Sequence, residues 1–336
     1  MKKIPVIIIS GFLGSGKTTL LVELIQVLQA RKIKPAILMN ELGKADVDGL
    51  ILSEAAEGLP MEKLFDGCIC CSKKSEISGS LKSLLALAPD VVLVELTGVA
   101  NPEEVVDAMA EPELLDRIVL HKVITVIDAE NVLEYGSIFS SDKQLVHTLR
   151  RQLEVADIIL VNKQDLISRS QLSKVDRFII KHNGQALVIH TTFGKCNPDL
   201  LLDGIEPLYI PAETPSRFKV IPAGHRHPHD ADSDASLERR QTSFSRIQSL
   251  LIPISGQKPL SLRKLAKWLN AKGQRVLRAK GYVPLEGSAH TSLIQFSGRQ
   301  LHHEHAAYKG AYYLVIIGFE LDETSLLKDW RTSVII

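Results

Sequence analysis

The sequence has almost no net charge, no long apolar run and few cysteines. It carries 40 lysines and arginines against 39 aspartates and glutamates, so no large field of one sign favours nucleic acid or an acidic membrane surface. No apolar run reaches the roughly 20 residues that span a bilayer. Only four cysteines occur in 336 residues, which argues against a disulfide framework. We therefore expect a cytoplasmic protein that binds neither nucleic acid nor membrane.

A glycine-rich segment, GFLGSGKT at positions 11–18, fits a phosphate-binding loop. It follows the apolar run 6–9 and precedes a helical pattern, which is the strand, loop and helix order that such a loop requires. Glycines let backbone N–H groups point at phosphate oxygens, Lys17 adds a positive charge, and the Thr18 hydroxyl can bind magnesium. The predicted nucleotide-binding residues of this loop are Gly11, Gly14, Ser15, Gly16, Lys17, Thr18 and Thr19.

Strand and helix patterns alternate over the first two hundred residues. Nearly continuous Val, Ile and Leu runs predict strands of a parallel sheet with helices on both faces. The runs occupy positions 6–9, 36–40, 91–95, 122–127, 158–162 and 186–190. Later patterns predict strands near 245–254, 276–284, 291–296 and 312–319, and helices at 261–270 and 323–330.

The fold class follows from these patterns. We predict an α/β P-loop NTPase domain over residues 1–206, with a mostly parallel sheet flanked by helices. Five prolines and little periodicity predict a Pro- and His-containing linker or loop over residues 207–242. A smaller α+β domain is predicted over residues 243–336.

The segment Asn162-Lys163-Gln164-Asp165 ends an apolar strand and indicates guanine recognition. A carboxylate at Asp165 can accept hydrogen bonds from guanine N1–H and its exocyclic amine, whereas adenine offers no amine there. The stem of Lys163 can lie along the base. The alternative is a polar turn at the end of a strand. We predict that GTP is the nucleotide and that Asn162, Lys163 and Asp165 bind it.

Glu95 and Gly98 form a second predicted nucleotide element. Four apolar residues bring Glu95 to the carboxyl edge of the sheet, where ligands bind in open α/β folds. Glu95 can hold magnesium through water or position the attacking water, and the Gly98 N–H can meet the γ-phosphate. The alternative for Glu95 is capping of the next helix. We assign the predicted catalytic roles to Lys17, Glu95 and Gly98.

Acidic residues follow the second predicted strand, where the first switch of a GTPase would lie. Glu41, Asp46 and Asp48 are candidates for contact with magnesium, another metal or water. The alternative is a solvated acidic loop.

Three cysteines lie within four positions, at Cys68, Cys70 and Cys71. Thiolates are soft ligands that favour zinc, copper(I) and cobalt. Tetrahedral zinc takes four ligands, so a further ligand would come from Glu41 or from water. An incomplete ligand set suits a site that releases its metal. Buried structural cysteines and a redox thiol pair are the alternatives for this cluster. We expect Cys196, which lies far from it in the sequence, to be an ordinary thiol.

These motifs together resemble the CobW-like metallochaperone GTPases, relatives of the nickel-insertion GTPases UreG and HypB. The resemblance rests on the phosphate loop, N-E-L-G, G-C-I-C-C, E-L-T-G, Asn101-Pro102 and N-K-Q-D, and it continues in V-L-R-A-K-G at 276–281 and in 314–319. It implies that Lys17 binds phosphate, that Thr18 binds magnesium, and that Asn162 and Asp165 recognise guanine. It also implies that the three clustered cysteines bind metal.

Three positions depart from the family pattern. Lys44 stands where the family has a second acid in the switch segment. Leu96 replaces a hydroxyl residue, and Asn101 replaces an acid, in the segment after Glu95. These changes imply altered metal contact and altered hydrolysis.

Histidines occur in two groups. His225, His227 and His229 alternate, so in an extended chain their imidazoles face one way and can share a transition metal. The alternative is idle, exposed histidines in a linker. A second group, with the same two alternatives, consists of His302, His303 and His305.

The resemblance implies a GTP-hydrolysing metallochaperone that delivers a metal to a client protein. Zinc is expected first and cobalt second, with magnesium at the nucleotide and slow unaided turnover. A homo-oligomer is compatible with the sequence. Two other functions stay open: a nucleotide-dependent metal store or sensor, and a P-loop kinase that phosphorylates a small molecule.

Overall fold

Two β-sheets organise the part of the chain that the structure, a computed structural model, describes. The described residues are 2–41, 56, 58–65, 72–137, 143–207, 245–254, 259–297 and 299–335. Within them, no helix is long and apolar enough to cross a membrane.

The first sheet has seven parallel strands in the order β3-β2-β4-β1-β5-β6-β7. Its strands are β1 Ile4–Ser10, β2 Pro35–Glu41, β3 Met61–Phe65, β4 Val91–Glu95, β5 Ile118–Asp128, β6 Ile158–Asn162 and β7 Leu187–His190. The predicted parallel sheet is confirmed. Because all strands run the same way, their carboxyl ends meet at one edge, where the predicted nucleotide residues lie.

Helices cover both faces of this sheet, which explains its continuous apolar strands. Along β1, Val6 and Ile8 join one buried cluster, whereas Ile7 and Ile9 join another on the opposite face. The helices are α1 Lys17–Ala30, α2 Ser72–Ala86, α3 Pro102–Met109, α4 Pro112–Leu115, α5 Val132–Tyr135, α6 Lys143–Val155, α7 Arg169–His182 and α8 Pro198–Leu202. Gln164–Leu166 form a 3₁₀ turn.

Side-chain caps fix several helix starts. Ser168 and Gln171 form a reciprocal capping box at α7, which satisfies backbone N–H groups that the first turn leaves without partners. Asn197 accepts a hydrogen bond from the backbone N–H of Asp199 at α8. Pro102 begins α3, where a residue without an N–H group costs nothing.

The second sheet has five antiparallel strands in the order β11-β10-β9-β12-β8. They are β8 Ile247–Pro253, β9 Val276–Pro284, β10 Thr291–Ser297, β11 Gln300–His305 and β12 Tyr313–Phe319. Helices α9 Leu262–Ala271 and α10 Glu323–Trp330 pack on one face, where Trp268 and Trp330 meet edge to face with ring centres 5.1 Å apart. The predicted α+β fold of this part is confirmed.

The other face of the second sheet packs against the first domain. Val315 and Ile317 of β12 lie in the same buried cluster as Val105 and Val106 of α3. The buried carboxylate of Asp107 also lies 3.1 Å from the guanidinium of Arg278. Helix α3, which follows the predicted γ-phosphate segment, is thus in direct contact with the C-terminal sheet.

Candidate nucleotide-binding site

The predicted phosphate loop joins β1 to α1 and has the backbone geometry that its glycines permit. Gly11 has φ +133° and Gly16 has φ +106°, which residues with a side chain rarely adopt. A Cβ atom at Gly11 would lie 1.9 Å from the carbonyl oxygen of Val126, and one at Gly16 would lie 2.5 Å from Nδ2 of Asn162. Glycine is therefore required at both positions, and Gly14 lies between them in the loop.

Lys17 and Ser15 lie inside the curl of this loop. The buried Lys17 donates a hydrogen bond from Nζ to the carbonyl oxygen of Phe12, at 2.9 Å. The backbone N–H of Ser15 donates to the same oxygen at 3.2 Å. Ser15 is fully buried, and its Oγ has no hydrogen-bond partner among the described residues. The loop thus keeps a cation and an unsatisfied hydroxyl together, as a phosphate site would.

Thr18 and Glu95 meet at the start of α1. The Thr18 hydroxyl donates to Oε1 of Glu95 at 2.8 Å. Parallel pairing of β1 with β4 sets Ile9 opposite Glu95, which brings this carboxylate to the beginning of the loop. Thr19, the next residue, is exposed. A hydroxyl and a carboxylate are oxygen ligands of the kind that magnesium prefers, so these two residues fit the predicted metal.

Gly98 brings the segment after β4 against the phosphate loop. A Cβ atom there would lie 2.5 Å from the backbone nitrogen of Leu13, so only glycine allows this approach. The fully buried Gln152 of α6 donates from Nε2 to the carbonyl oxygens of Gly98, at 3.3 Å, and of Ala100, at 3.0 Å. Gln152 therefore holds the segment that is predicted to meet the γ-phosphate.

Asn162 connects two loops through its side-chain amide. Its Nδ2 donates to the carbonyl oxygen of Ser15 at 2.8 Å. Its Oδ1 accepts from the backbone N–H of Gly194 at 2.9 Å and from the Thr191 hydroxyl at 3.2 Å. These contacts assign Asn162 to positioning the phosphate loop and the loop after β7. Recognition of guanine by Asn162 stays a prediction.

Lys163 and Asp128 form an ion pair beside this amide. Lys163 Nζ lies 2.7 Å from Oδ2 of Asp128, a buried residue at the carboxyl end of β5. Burial alone would raise the pKa of Asp128, but hydrogen bonds from Lys163, from Asn131 and from the N–H of Glu130 outweigh it and keep this pKa below its usual range. This ion pair holds the side-chain stem of Lys163 in place. The backbone of Lys163 has a left-handed φ of +61°.

The predicted base-recognition residue Asp165 lies on the 3₁₀ turn Gln164–Leu166, with its side chain exposed. The loop after β7 is its neighbour, because the N–H of Gln164 donates to the carbonyl oxygen of Thr191 at 3.3 Å. In this second loop, Phe193 is 73 % exposed and has φ +53°. Asp165 and Phe193 thus lie on adjacent loops at the edge where a base is expected.

Four residues of the site were not predicted from the sequence: Asp128, Gln152, Thr191 and Phe193. The position of Asp128 was recognisable, since it ends an apolar strand just as Glu95 does. Gln152 carries no such signal, because its helix has many polar residues and only the packing shows that it is buried.

Several predicted site residues lie outside the described residues. They are Cys68, Cys70, Cys71, Asp46, Asp48, His225, His227 and His229. The side chain of Glu41 is likewise outside what the structure describes, although Glu41 ends β2. Cys196, the one cysteine among the described residues, is half-buried, and burial followed by the nearby Glu23 raises the pKa of its thiol to about 11. Cys196 is thus a poor thiolate ligand at neutral pH.

The fold and this site define a P-loop nucleotide-binding protein with an additional antiparallel C-terminal domain. The family described as CobW/HypB/UreG, nucleotide-binding domain, matches residues 5–190, and the cobalamin synthesis protein cobW C-terminal domain matches residues 252–334. The chain belongs to this CobW/HypB/UreG family.

Two sequence relatives agree with this assignment. The chain is 27% identical to the zinc chaperone CobW of Pseudomonas aeruginosa over 99% of this chain and 92% of that protein. It is 31% identical to the zinc-regulated GTPase metalloprotein activator 1 of Schizosaccharomyces pombe, over 57% of this chain and 46% of that protein. Among solved structures, Zn(II)-bound YjiA GTPase from E. coli aligns over 99% of both chains with 19% identity and a TM-score of 0.47.

Proposed function

We propose that this protein is a GTP-hydrolysing metallochaperone that binds zinc at Cys68, Cys70 and Cys71 and delivers it to a client protein. The observation that carries the proposal is the hydrogen bond from Thr18 to Glu95 beside an intact phosphate loop, since this is the oxygen pair that a magnesium nucleotide needs. Support for zinc comes from the relatives named as zinc chaperones, and cobalt is the second candidate. The client is a metal-requiring protein.

GTP is proposed as the nucleotide because of Asp165 and Lys163. The exposed carboxylate of Asp165 is available to a base, whereas the neighbouring acid Asp128 is already bound to Lys163. Guanine presents two N–H donors to such a carboxylate, and adenine presents none in the same arrangement. The ion pair keeps the Lys163 stem in place, so that it can lie along the ring.

Magnesium would be held by the Thr18 hydroxyl and, directly or through water, by Glu95. When bound, the ion would neutralise charge on the phosphate oxygens. Lys17 would offset the charge of the terminal phosphates from inside the loop. The Gly98 N–H would donate to the γ-phosphate, with Gln152 holding the Gly98 carbonyl in place. In the alternative role, Glu95 would not contact magnesium and would orient the attacking water.

Slow unaided hydrolysis is expected from the segment after β4. Residues 95–101 read E-L-T-G-V-A-N and contain neither glutamine nor arginine. In other GTPases, such residues orient the water or stabilise the charge of the transition state. We therefore expect that a partner protein or the bound metal accelerates turnover.

Nucleotide and zinc are proposed to be coupled through the ends of β2 and β3. These strands end at Glu41 and Phe65, and β2 is hydrogen-bonded to β4, which carries Glu95. Both strand ends lie at the same edge as the phosphate loop, and the segments 42–55 and 66–71, with the acidic residues and the cysteines, follow them in the sequence. GTP would stabilise the metal-binding arrangement of these segments, and hydrolysis would release it.

A zinc competition titration tests this coupling. Zinc affinity would be measured with a chelating dye in the presence of a non-hydrolysable GTP analogue and again with GDP. Since coupling is reciprocal, zinc should also tighten the binding of the GTP analogue by the same factor. A Cys70→Ser variant supplies the matched control and should lose the difference. Equal zinc affinities in the two nucleotide states would reject the chaperone mechanism.

A further inference from the structure

Strand β11 divides its histidines between the two faces of the C-terminal sheet. In the antiparallel pairing with β10, His303 lies opposite Ile294 and His305 opposite Ser292. Both of these β10 residues are buried, and Ile294 belongs to the cluster that includes Trp268 of α9. His303 and His305 therefore face the same side of the sheet as α9. Successive residues of a strand alternate, so His302 faces the other side.

A third histidine joins this pair from the turn between β9 and β10. The rings of His290 and His305 have centres 5.5 Å apart and planes at 86° to each other. When two imidazoles bind one tetrahedral zinc at about 2.0–2.1 Å, their ring centres lie about 5 Å apart. The separation of these two rings is thus already close to that of two ligands on one ion.

The backbone around His290 is held in place by hydrogen bonds. The Ser288 hydroxyl accepts from the N–H of His290 at 3.2 Å and donates to its carbonyl oxygen at 2.9 Å. Next to it, the N–H of Ala306 donates to the carbonyl oxygen of Thr291 at 2.9 Å, which ties the end of β11 to the same turn. The positions of the two ring-bearing residues are therefore fixed before any ion binds.

These histidines line a surface cavity of about 450 Å³. Leu262 and Leu285 form apolar parts of its wall, and Glu286 adds a carboxylate. Neither lysine nor arginine is among the described residues that line it. Three imidazoles and one carboxylate are a ligand set for zinc and related divalent transition metals.

We propose that His290, His303 and His305, with Glu286, form a second metal site for a divalent transition ion on the C-terminal domain. In the described part of the chain, no three His, Cys, Asp or Glu side chains are yet arranged to hold an ion. The site closes when the exposed side chains of His303 and Glu286 rotate toward the His290 and His305 pair. It contains no thiolate and needs no nucleotide, so it is independent of the proposed cysteine site.

The test uses the full chain with Cys68, Cys70 and Cys71 changed to serine and His225, His227 and His229 changed to alanine. Zinc binding to this variant, without nucleotide, is measured by competition with a chelating dye. We expect one bound zinc per chain, and we expect His290→Ala or His305→Ala to weaken it by more than about tenfold. His302→Ala is the matched control on the opposite face of β11 and should bind zinc like its parent.

Cobalt(II) gives a second readout, the absorption spectrum of the bound ion, which does not depend on the folding stability of the variant. The parent should show the intense visible bands of a tetrahedral or five-coordinate ion, and His303→Ala should change their position or intensity. Circular dichroism checks that each variant is folded. If the parent binds no zinc, or if His302→Ala weakens binding as much as His305→Ala does, the proposed site is rejected. Neither result bears on the proposed cysteine site, which the parent lacks.

Discussion

The side-chain amide of Asn162 donates a 2.8 Å hydrogen bond to the carbonyl oxygen of Ser15 and so connects the predicted base-recognition segment to the phosphate loop. The same side chain accepts from the N–H of Gly194, in the loop after β7. Three loops at the carboxyl edge of the sheet therefore depend on one buried residue. This arrangement separates the role of Asn162 from that of its neighbour Asp165, which is exposed.

The first prediction concerns this division of roles. We expect Asn162→Ala to weaken the binding of GTP and xanthosine triphosphate equally, by about tenfold, because a lost buried hydrogen bond loosens the loop that holds phosphate. Asp165→Asn should instead reverse the preference, since the asparagine amide can donate to the xanthine oxygen that replaces the amine of guanine. Binding of fluorescent analogues of both nucleotides measures the two effects.

The two variants serve as controls for each other. If Asn162→Ala changed the base preference and Asp165→Asn did not, then Asn162, and not Asp165, would be the residue that recognises the base.

The second prediction concerns Glu95, which accepts the Thr18 hydroxyl. Glu95→Gln keeps the size of the side chain but removes its charge. We expect GTP affinity to change little, because Lys17 and the loop N–H groups remain. The kcat for GTP hydrolysis should fall by about 10²-fold, since the oriented water is lost. Phosphate release under saturating GTP and magnesium measures it.

Glu104→Gln is the matched control, because Glu104 lies exposed on α3 only nine positions further along the chain. It should hydrolyse GTP at the parent rate. A Glu95→Gln variant that hydrolyses GTP as fast as the Glu104→Gln variant would leave Glu95 with a structural role alone.

Central strands of both sheets were predictable from sequence, whereas two of the four edge strands were not. β1, β4 and β6 are buried on both faces, so their residues are apolar up to the last one, which is Ser10, Glu95 or Asn162. The missed strands β3 and β11 are both at sheet edges, where one side has no neighbour and polar residues are tolerated. β11 contains three histidines in six residues and has no apolar pattern to reveal it.

Motif residues of the site were also predictable, whereas the residues that hold them were not. Gly98 is recognisable from its position after Glu95, but the Gln152 that fixes its carbonyl is 54 positions away. The pairing of Lys163 with Asp128 likewise depends on β5 and β6 being neighbours in the sheet. Such contacts arise from strand order, which local sequence patterns do not specify.

The third prediction uses the close approach of Gly98 to the phosphate loop. In Gly98→Ala, the new methyl group would lie 2.5 Å from the backbone nitrogen of Leu13, so the segment after β4 must move away. We expect GTP hydrolysis to fall by about tenfold or more, because the N–H proposed to meet the γ-phosphate is displaced. Binding of GDP should be nearly unchanged. Single-turnover hydrolysis and GDP titration separate the two effects.

Gly79→Ala is the matched control, since a Cβ atom at Gly79, on α2, meets nothing within 4 Å. This change should stabilise the protein by about 0.5–1 kcal/mol, because alanine favours a helix over glycine, and should leave hydrolysis at the parent rate. Parent-like hydrolysis by Gly98→Ala would contradict the close packing of the two loops.

The fourth prediction concerns pH and His121 of β5. This residue is 4 % exposed, and its Nε2 lies 2.8 Å from the carbonyl oxygen of Asp203. Burial, followed by the charge of Lys122, lowers its pKa from 6.5 to about 4. As the pH falls from about 6.5 to about 4, the unfolded chain gains a proton that the folded protein does not bind. His121 should therefore reduce the free energy of unfolding by up to about 3 kcal/mol over this range.

Replacing His121 by glutamine, which can still donate to the Asp203 carbonyl, removes this titration. The variant should lose less thermal stability than the parent between pH 7 and pH 5, although its melting temperature at pH 7 is expected to be lower because the ring no longer fills its site. His302→Gln, on the exposed strand β11, controls for the loss of a histidine and should follow the parent curve. Parallel curves for parent and His121→Gln would show that other groups govern the acid sensitivity. The pH interval is diagnostic as well: loss of stability through His121 should stop below about pH 4, where the folded protein also binds the proton.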